Sequence, residues 1–234
     1  MIEEIDFETY LYISKNKFQI FVFDKIEKKN LFKEEQLLIE QFNFEDFISL
    51  SKFLDENIYK IEKVIGSFIK NIFLIIDTDQ SLLVNIAIKK KNYDNFFNQK
   101  YLESCLTEIK DIFRENYQNE VIMHMIVKNY ILDKIEFSSL TTDYQGDNLC
   151  LDVNFISISK NFSIIFDKLL KKYQIKISRY ICGNYINEYF GDSKNELSEK
   201  VNQLIGGINE NEIILVPKNI ENKGFFEKFF QLFS

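Results

Sequence analysis

Apolar and polar positions alternate along "TYLYISKNKFQIFVFD" (9–24), which predicts two short strands around the polar turn Lys15-Asn16-Lys17. The spacing becomes helical in "LFKEEQLLIEQ" and again in "FEDFISLSKFLDENIYKIEKVIG". In the second of these, Phe47, Leu50, Phe53, Leu54, Ile58 and Ile61 share one face, and Gly66 stands where a helix would stop. "NIFLIID" (71–77) reads as a buried strand and "SLLVNIAIKK" (81–90) as another. "NQKYLESCLTEIKDIFRENY" (98–117) predicts an amphipathic helix with Tyr101, Leu102, Cys105, Ile109, Ile112 and Phe113 inward. A long strand, "EVIMHMIVKNYILD" (120–133), follows, then a loop over 134–148. "LCLDVNFISIS" (149–159) alternates with Leu149, Leu151, Val153 and Phe155 on one face. "NFSIIFDKLLKKYQ" (161–174) predicts a helix capped by Asn161, and "IKISRYIC" (175–182) a further strand. Strands and helices that alternate in this way predict an α+β body over residues 1–190 with at least one mixed sheet. After Gly191 the apolar mass thins. Residues 191–222 read as a connection that carries one helix, a Gly-Gly stop and a short strand.

Composition narrows the function. A net charge of -7 speaks against a nucleic-acid partner, because phosphate binding needs clustered cations and the lysines here are scattered. Three cysteines, Cys105, Cys150 and Cys182, are far apart and odd in number, so they form no disulfide framework and suit a reducing compartment. The start "MIEEIDFE" lacks the basic and apolar regions of a secretory signal, and no apolar run approaches the length of a spanning helix. The expectation is a cytoplasmic chain.

Candidate chemistry is sparse. The single histidine, His124, lies in the apolar strand "VIMHMIV" and reads as structural. No zinc spacing exists, and none of the glycine-rich phosphate motifs occurs among the seven glycines. The acidic pairs Glu34-Glu35 and Glu45-Asp46 read as solvated helix faces. No catalytic residue, cofactor or metal is expected, and the chain is not expected to be an enzyme.

Over residues 70–190 the order of motifs resembles the FtsA family of bacterial cell-division proteins, within the actin-like ATPase superfamily. His124-Met125-Ile126-Val127, Tyr130 and the pair Leu132-Asp133 are followed by Gly146 and "LCLDVNFISIS". "NFSIIFDKLLKKYQIKISRYICG" then completes the pattern and ends at Gly183. The resemblance implies a truncated actin-like (ribonuclease H-like) first half. It also implies an inserted FtsA-type SHS2 subdomain at about 80–160. Where the family has a D-x-G-[ST] phosphate loop, this chain has Ile13-Ser14-Lys15-Asn16-Lys17, with neither the aspartate nor the glycine. The sequence also stops well short of a full family member. Hence ATP binding, hydrolysis and direct contact with FtsZ are not carried over. Division proteins remain the implied partners, and self-association through the insertion is left open.

The family commonly ends in an amphipathic helix that binds the cytoplasmic face of the inner membrane. In "NKGFFEKFFQLFS", at about 100° per residue, Phe225, Phe226, Phe229, Phe230, Leu232 and Phe233 fall within an arc of about 160°. Glu227, Lys228, Gln231 and Ser234 fill the other side. Phe225, Phe226, Lys228, Phe229, Phe230, Leu232 and Phe233 are the expected membrane-binding residues; docking of the same helix on the body is the competing reading. The sequence therefore predicts a non-enzymatic, FtsA-like adaptor of the septal machinery, peripheral on the inner membrane. A membrane-associated adaptor of pilus or secretion assembly, or a diverged actin-like ATPase, are the alternatives.

Overall fold

The computed structural model describes residues 6–44, 47–91, 99–139 and 146–214. The chain divides into two compact units, Met1–Gln80 with Asn161–Gly206, and Ser81–Lys160 with Gly207–Ser234. The fold is α+β, with one sheet in each unit.

The first unit is built on strands β1 (Phe7–Ser14), β2 (Lys17–Asp24), β3 (Lys29–Leu37), β4 (Asn71–Asp77) and β9 (Lys176–Cys182). They lie in the order β3-β2-β1-β4-β9. The first three form an antiparallel meander, while β4 runs parallel to β1 and β9 parallel to β4. A parallel pair cannot be closed by a tight turn. Helix α1 (Ile48–Ile65) supplies the connection from β3 to β4, and α3 (Lys160–Lys171) leads into β9. Helix α1 buries Leu50, Phe53, Leu54, Ile58 and Ile61, and ends at Gly66 in the left-handed conformation that glycine adopts without strain. Phe18 on β2 meets Phe53, and Phe42, Phe44, Phe47, Phe162 and Phe166 extend that aromatic cluster to α3. Phe21 alternates to the other face of β2, where α5 (Leu197–Ile205) packs, beside α4 (Gly183–Phe190). The result is a sheet covered on both faces, which explains why β4 reads as a continuous apolar run.

The second unit has the sheet order β5-β8-β6-β7, with β5 (Leu82–Lys91), β6 (Glu120–Leu132), β7 (Ile135–Phe137) and β8 (Asn148–Ser159). All its pairs are antiparallel. Helix α2 (Gln99–Asn116) covers one face, with Leu102, Cys105, Leu106, Ile109 and Phe113 against Leu149, Leu151, Val153 and Phe155. Phe113 stacks on Phe155 with centroids 4.6 Å apart. The opposite face of the sheet is polar: the Asn85 amide donates to Asn154 (2.7 Å) and also to Asp152. A residue from beyond α5, Ile213, belongs to the apolar core of this unit.

Several sequence expectations are corrected. "LFKEEQLLIEQ", expected as a helix, gives most of β3 instead. Its lysine, glutamates and leucines favour helix locally, but the unpaired edge of β2 offers it a full ladder of hydrogen bonds, and that non-local demand prevails. Charged side chains also suit an edge strand, because they discourage pairing with another chain. Glu34 and Glu35 thus sit on a strand, with Glu35 beside Lys17 and Gln19; Glu45 and Asp46 lie outside the described residues. Asn161 is inside α3 rather than its cap, since the helix begins at Lys160. The loop expected over 134–148 contains β7, and α4 follows β9 without a break. No disulfide joins the three cysteines; Cys105 and Cys182 are buried.

The β6–β7 hairpin turns on Asp133 and Lys134, both with positive φ (48° and 77°), as a two-residue turn of this hand requires. The Asp133 carboxylate accepts the backbone N–H groups of Asp147 and Asn148, each at 2.9 Å. Those bonds, the one from Asp147 foremost, hold its carboxyl below the usual aspartate range. Because the folded value is depressed, the contribution is complete above the unfolded value of about 3.9 and fades as pH falls through the folded one. Acid titration should therefore speed exchange of the Asp147 and Asn148 amides below about pH 4, and Asp133→Asn should remove that pH dependence. Exchange independent of pH in the parent chain, once corrected for intrinsic rates, would contradict the assignment.

Candidate functional site at the carboxyl ends of the parallel strands

In open sheets with parallel strands, ligands bind outside the carboxyl ends of those strands. Here β1, β4 and β9 end together: Ser14 is opposite Asp77, and Ile76 is opposite Cys182. The chain then enters the Lys15-Asn16 turn, the Thr78-Asp79-Gln80 loop and α4, respectively. This is also where a phosphate-binding turn would lie.

The turn's own donors are engaged locally. The backbone N–H of Asn16 donates to Ser14 Oγ at 3.3 Å, and that of Lys17 does so at 3.1 Å. Ser14 Oγ in turn donates to the Lys17 carbonyl at 3.2 Å. The turn carbonyls are held as well, since Leu38 N–H reaches Asn16 O (2.9 Å) and Phe42 N–H reaches Lys15 O (2.7 Å). A phosphate cradle needs amides that point outward and a glycine that lets phosphate approach. Here the Asn16 and Lys17 amides turn inward to Ser14 Oγ and the turn has no glycine, so these residues do not fit a nucleotide phosphate.

The acidic groups beside it are likewise paired. Tyr12, at the end of β1, donates its hydroxyl to Asp77 at 2.6 Å. Burial, and then the bond to Asp77 and its charge, raise the Tyr12 phenol well above its ordinary range, so it stays a donor at all physiological pH. Lys15 pairs with Asp79 in an exposed contact, which contributes little to stability by itself. Thr78, almost fully buried, accepts the Gln80 N–H on its hydroxyl (3.2 Å), and its carbonyl accepts from the Asn184 side chain (3.4 Å). Gly183 opens α4 directly against Asp77: a Cβ there would lie 2.7 Å from Asp77 Cβ and 3.1 Å from its Cα. The polar groups at this rim are thus engaged with near neighbours: Tyr12 with Asp77, Ser14 with its own turn, Lys15 with Asp79, and Asn184 with Thr78.

The membrane-binding residues expected from the sequence, Phe225, Phe226, Lys228, Phe229, Phe230, Leu232 and Phe233, lie outside the described residues. His124 is fully buried on β6, and its Nδ1 is 2.7 Å from Glu212 Oε1. Among the described residues no group of three or more His, Cys, Asp or Glu side chains could hold a metal ion. Nor is any described helix long and apolar enough to cross a membrane. Sequence reasoning located the Ser14–Lys17 turn but not its partners. The one hint was Asp77, a lone carboxylate that closes an apolar strand.

No protein-family model matches the chain, and no curated protein does. Solved structures do match. The chain is similar to one described as the PilM-PilN type IV pilus biogenesis complex, with TM-score 0.47 and 10% identity over 78% of this chain and 49% of that one. It is similar to the cytoplasmic domain of Epsl, an inner membrane component of the type II secretion system of Vibrio cholerae, with TM-score 0.36 and 9% identity over 76% of this chain and 57% of that one. A Bacteroides thetaiotaomicron protein, described as having an actin-like ATPase fold and unknown function, gives TM-score 0.33 and 16% identity over 81% of this chain and 58% of that one. The chain thus spans between 49% and 58% of the length of these structures. Likeness at this level carries no function from them to this chain.

The close seat of α4 on Asp77 can be tested directly. Gly183→Ala should destabilise the first unit by about 1–3 kcal/mol, as overpacking does when backbone blocks relief. Urea unfolding measures it, and a change below about 0.3 kcal/mol, within the scatter of an ordinary surface substitution, would contradict the contact.

Proposed function

We propose that this chain is a non-enzymatic adaptor at the cytoplasmic face of the inner membrane. In this reading it uses one half of an actin-like core as a scaffold, with the second unit as an inserted binding module. The observation that carries the reading is the Ser14–Lys17 turn, whose amides bond Ser14 Oγ instead of facing outward. A core that keeps its sheet while its phosphate turn closes on itself is suited to holding partners and poorly suited to hydrolysing nucleotide.

The strand order supports the scaffold assignment. A β3-β2-β1-β4-β9 sheet with only β2 reversed is the arrangement of a ribonuclease H-like half of the actin-like fold. The second unit follows the order strand β5, helix α2, strand β6, strand β8, apart from the short β7, and enters the sequence between β4 and α3. That order, strand–helix–strand–strand, supports the SHS2 reading of the insertion. Membrane attachment rests on the apolar arc at residues 225–233. Partly burying its five phenylalanine rings would supply several kcal/mol at about 1.5–3 kcal/mol for each one fully buried, enough for reversible binding.

For the machine it serves, we adopt assembly of a pilus or a secretion system ahead of the septal ring. The septal reading rests on the motif order over residues 70–190 and the apolar arc near the C-terminus, and that arc suits either machine. The partner would then be another component of such a complex, as PilN is in the complex named above.

Sedimentation with anionic liposomes tests the adaptor reading where it is most exposed. The full chain should pellet with vesicles, and a chain ending at Asn222 should stay in the supernatant with an unchanged circular dichroism spectrum. Equal sedimentation of both forms would overturn attachment through this segment.

A further inference from the structure

Strand β6 has two edges, and among the described residues only one is filled along its length. β8 pairs with it from Glu120 to Leu132, whereas β7 covers the other edge only at Tyr130–Leu132. Earlier on that same edge, three residues from beyond α5 take the place of a strand. Val127 N–H donates to Asn211 O (2.9 Å), Ile213 N–H donates to Met125 O (2.8 Å), and Glu212 stands opposite Ile126 in antiparallel register. This short addition satisfies edge groups that would otherwise be open to any extended segment.

Its register is fixed by chemistry on both faces. Ile213 enters the apolar core under α2, with Met125 and Val127. Glu212, one residue earlier, points to the opposite face, where it is 3% exposed and its Oε1 lies 2.7 Å from Nδ1 of fully buried His124. A slip of one residue would exchange these two side chains. The carboxylate would then enter an apolar core without its imidazole, and burial of an unpaired carboxylate is among the most unfavourable placements a side chain can have. The site therefore admits an extended segment in which a glutamate precedes an apolar residue, and it rejects the neighbouring registers.

We infer that the β6 edge at Met125–Val127, with His124 beside it, is a strand-addition site selective for an acidic residue, and that the chain's own Asn211–Ile213 occupies it. The site is built wholly from the second unit, and so stands apart from the adaptor reading.

Amide hydrogen exchange on the full-length chain tests the site. Glu212→Gln keeps the shape of the side chain and removes its charge. It should speed exchange at Val127 and Ile213 at least tenfold, while Leu151 and Val153 on β8 and Leu11 and Ile13 on β1 keep their protection. His124→Asn should do the same, and the double variant should exceed neither single one by more than about twofold. Unchanged exchange at Val127 and Ile213 in Glu212→Gln would overturn the inference, as would two effects that multiply independently. Should His124→Asn lose protection throughout β8, the Glu212→Gln result alone decides.

Discussion

The parallel pairing of β1 with β4 is the constraint on which the first unit depends. It sets Tyr10–Ser14 against Phe73–Asp77, and Leu11, Ile13, Leu74, Ile75 and Ile76 on the two strands are completely buried. Parallel strands require a crossover, so α1 must lie between them in the sequence and must bury one face on the sheet. With β4 placed, β9 can add to its free side. The carboxyl ends of three strands then coincide, and α4 begins at their rim. Removing that one ladder would leave an antiparallel meander with an exposed apolar edge.

The same pairing creates a place for chemistry and then restrains it. Strand ends that coincide bring a turn, a loop and a helix start into one small region, the usual position of a ligand site in such sheets. In this chain the groups brought together bond one another: Ser14 with the turn amides, Tyr12 with Asp77, Asn184 with the Thr78 carbonyl, and Gly183 flush against Asp77. Polar groups that are already satisfied offer a ligand little net gain, because each new hydrogen bond must replace one that exists. That is the physical argument against a nucleotide phosphate at this turn. The second unit has α2 over an antiparallel sheet and a three-residue segment, Asn211–Ile213, along one edge.

Elements governed by local periodicity were legible in the sequence. The hairpin β1–β2, the buried β4, and the alternation of Leu149, Leu151, Val153 and Phe155 all follow from side-chain period alone. So does the inward face of α1, with Gly66 as its stop. What failed was decided at a distance. β3 carries helix-forming residues, and only the open edge of β2 makes it a strand. α4 has no capping side chain at Cys182 and follows a strand without a turn, so nothing local announces it. The engaged turn was half legible: the missing glycine was visible, but the bonds from Asn16 and Lys17 to Ser14 depend on the hairpin being folded. His124 was read as structural, and its partner Glu212, 88 residues away, could not be found from spacing. The apolar arc at residues 225–233 remains a statement about sequence.

The central claim is that the carboxyl-end turn is closed on itself and takes no nucleotide phosphate. It is tested most directly by following the backbone amide resonances of Asn16, Lys17 and Gly183 during a titration with Mg-ATP into the millimolar range. The account predicts that these resonances stay in place at every concentration. Saturable shifts confined to these amides would contradict it.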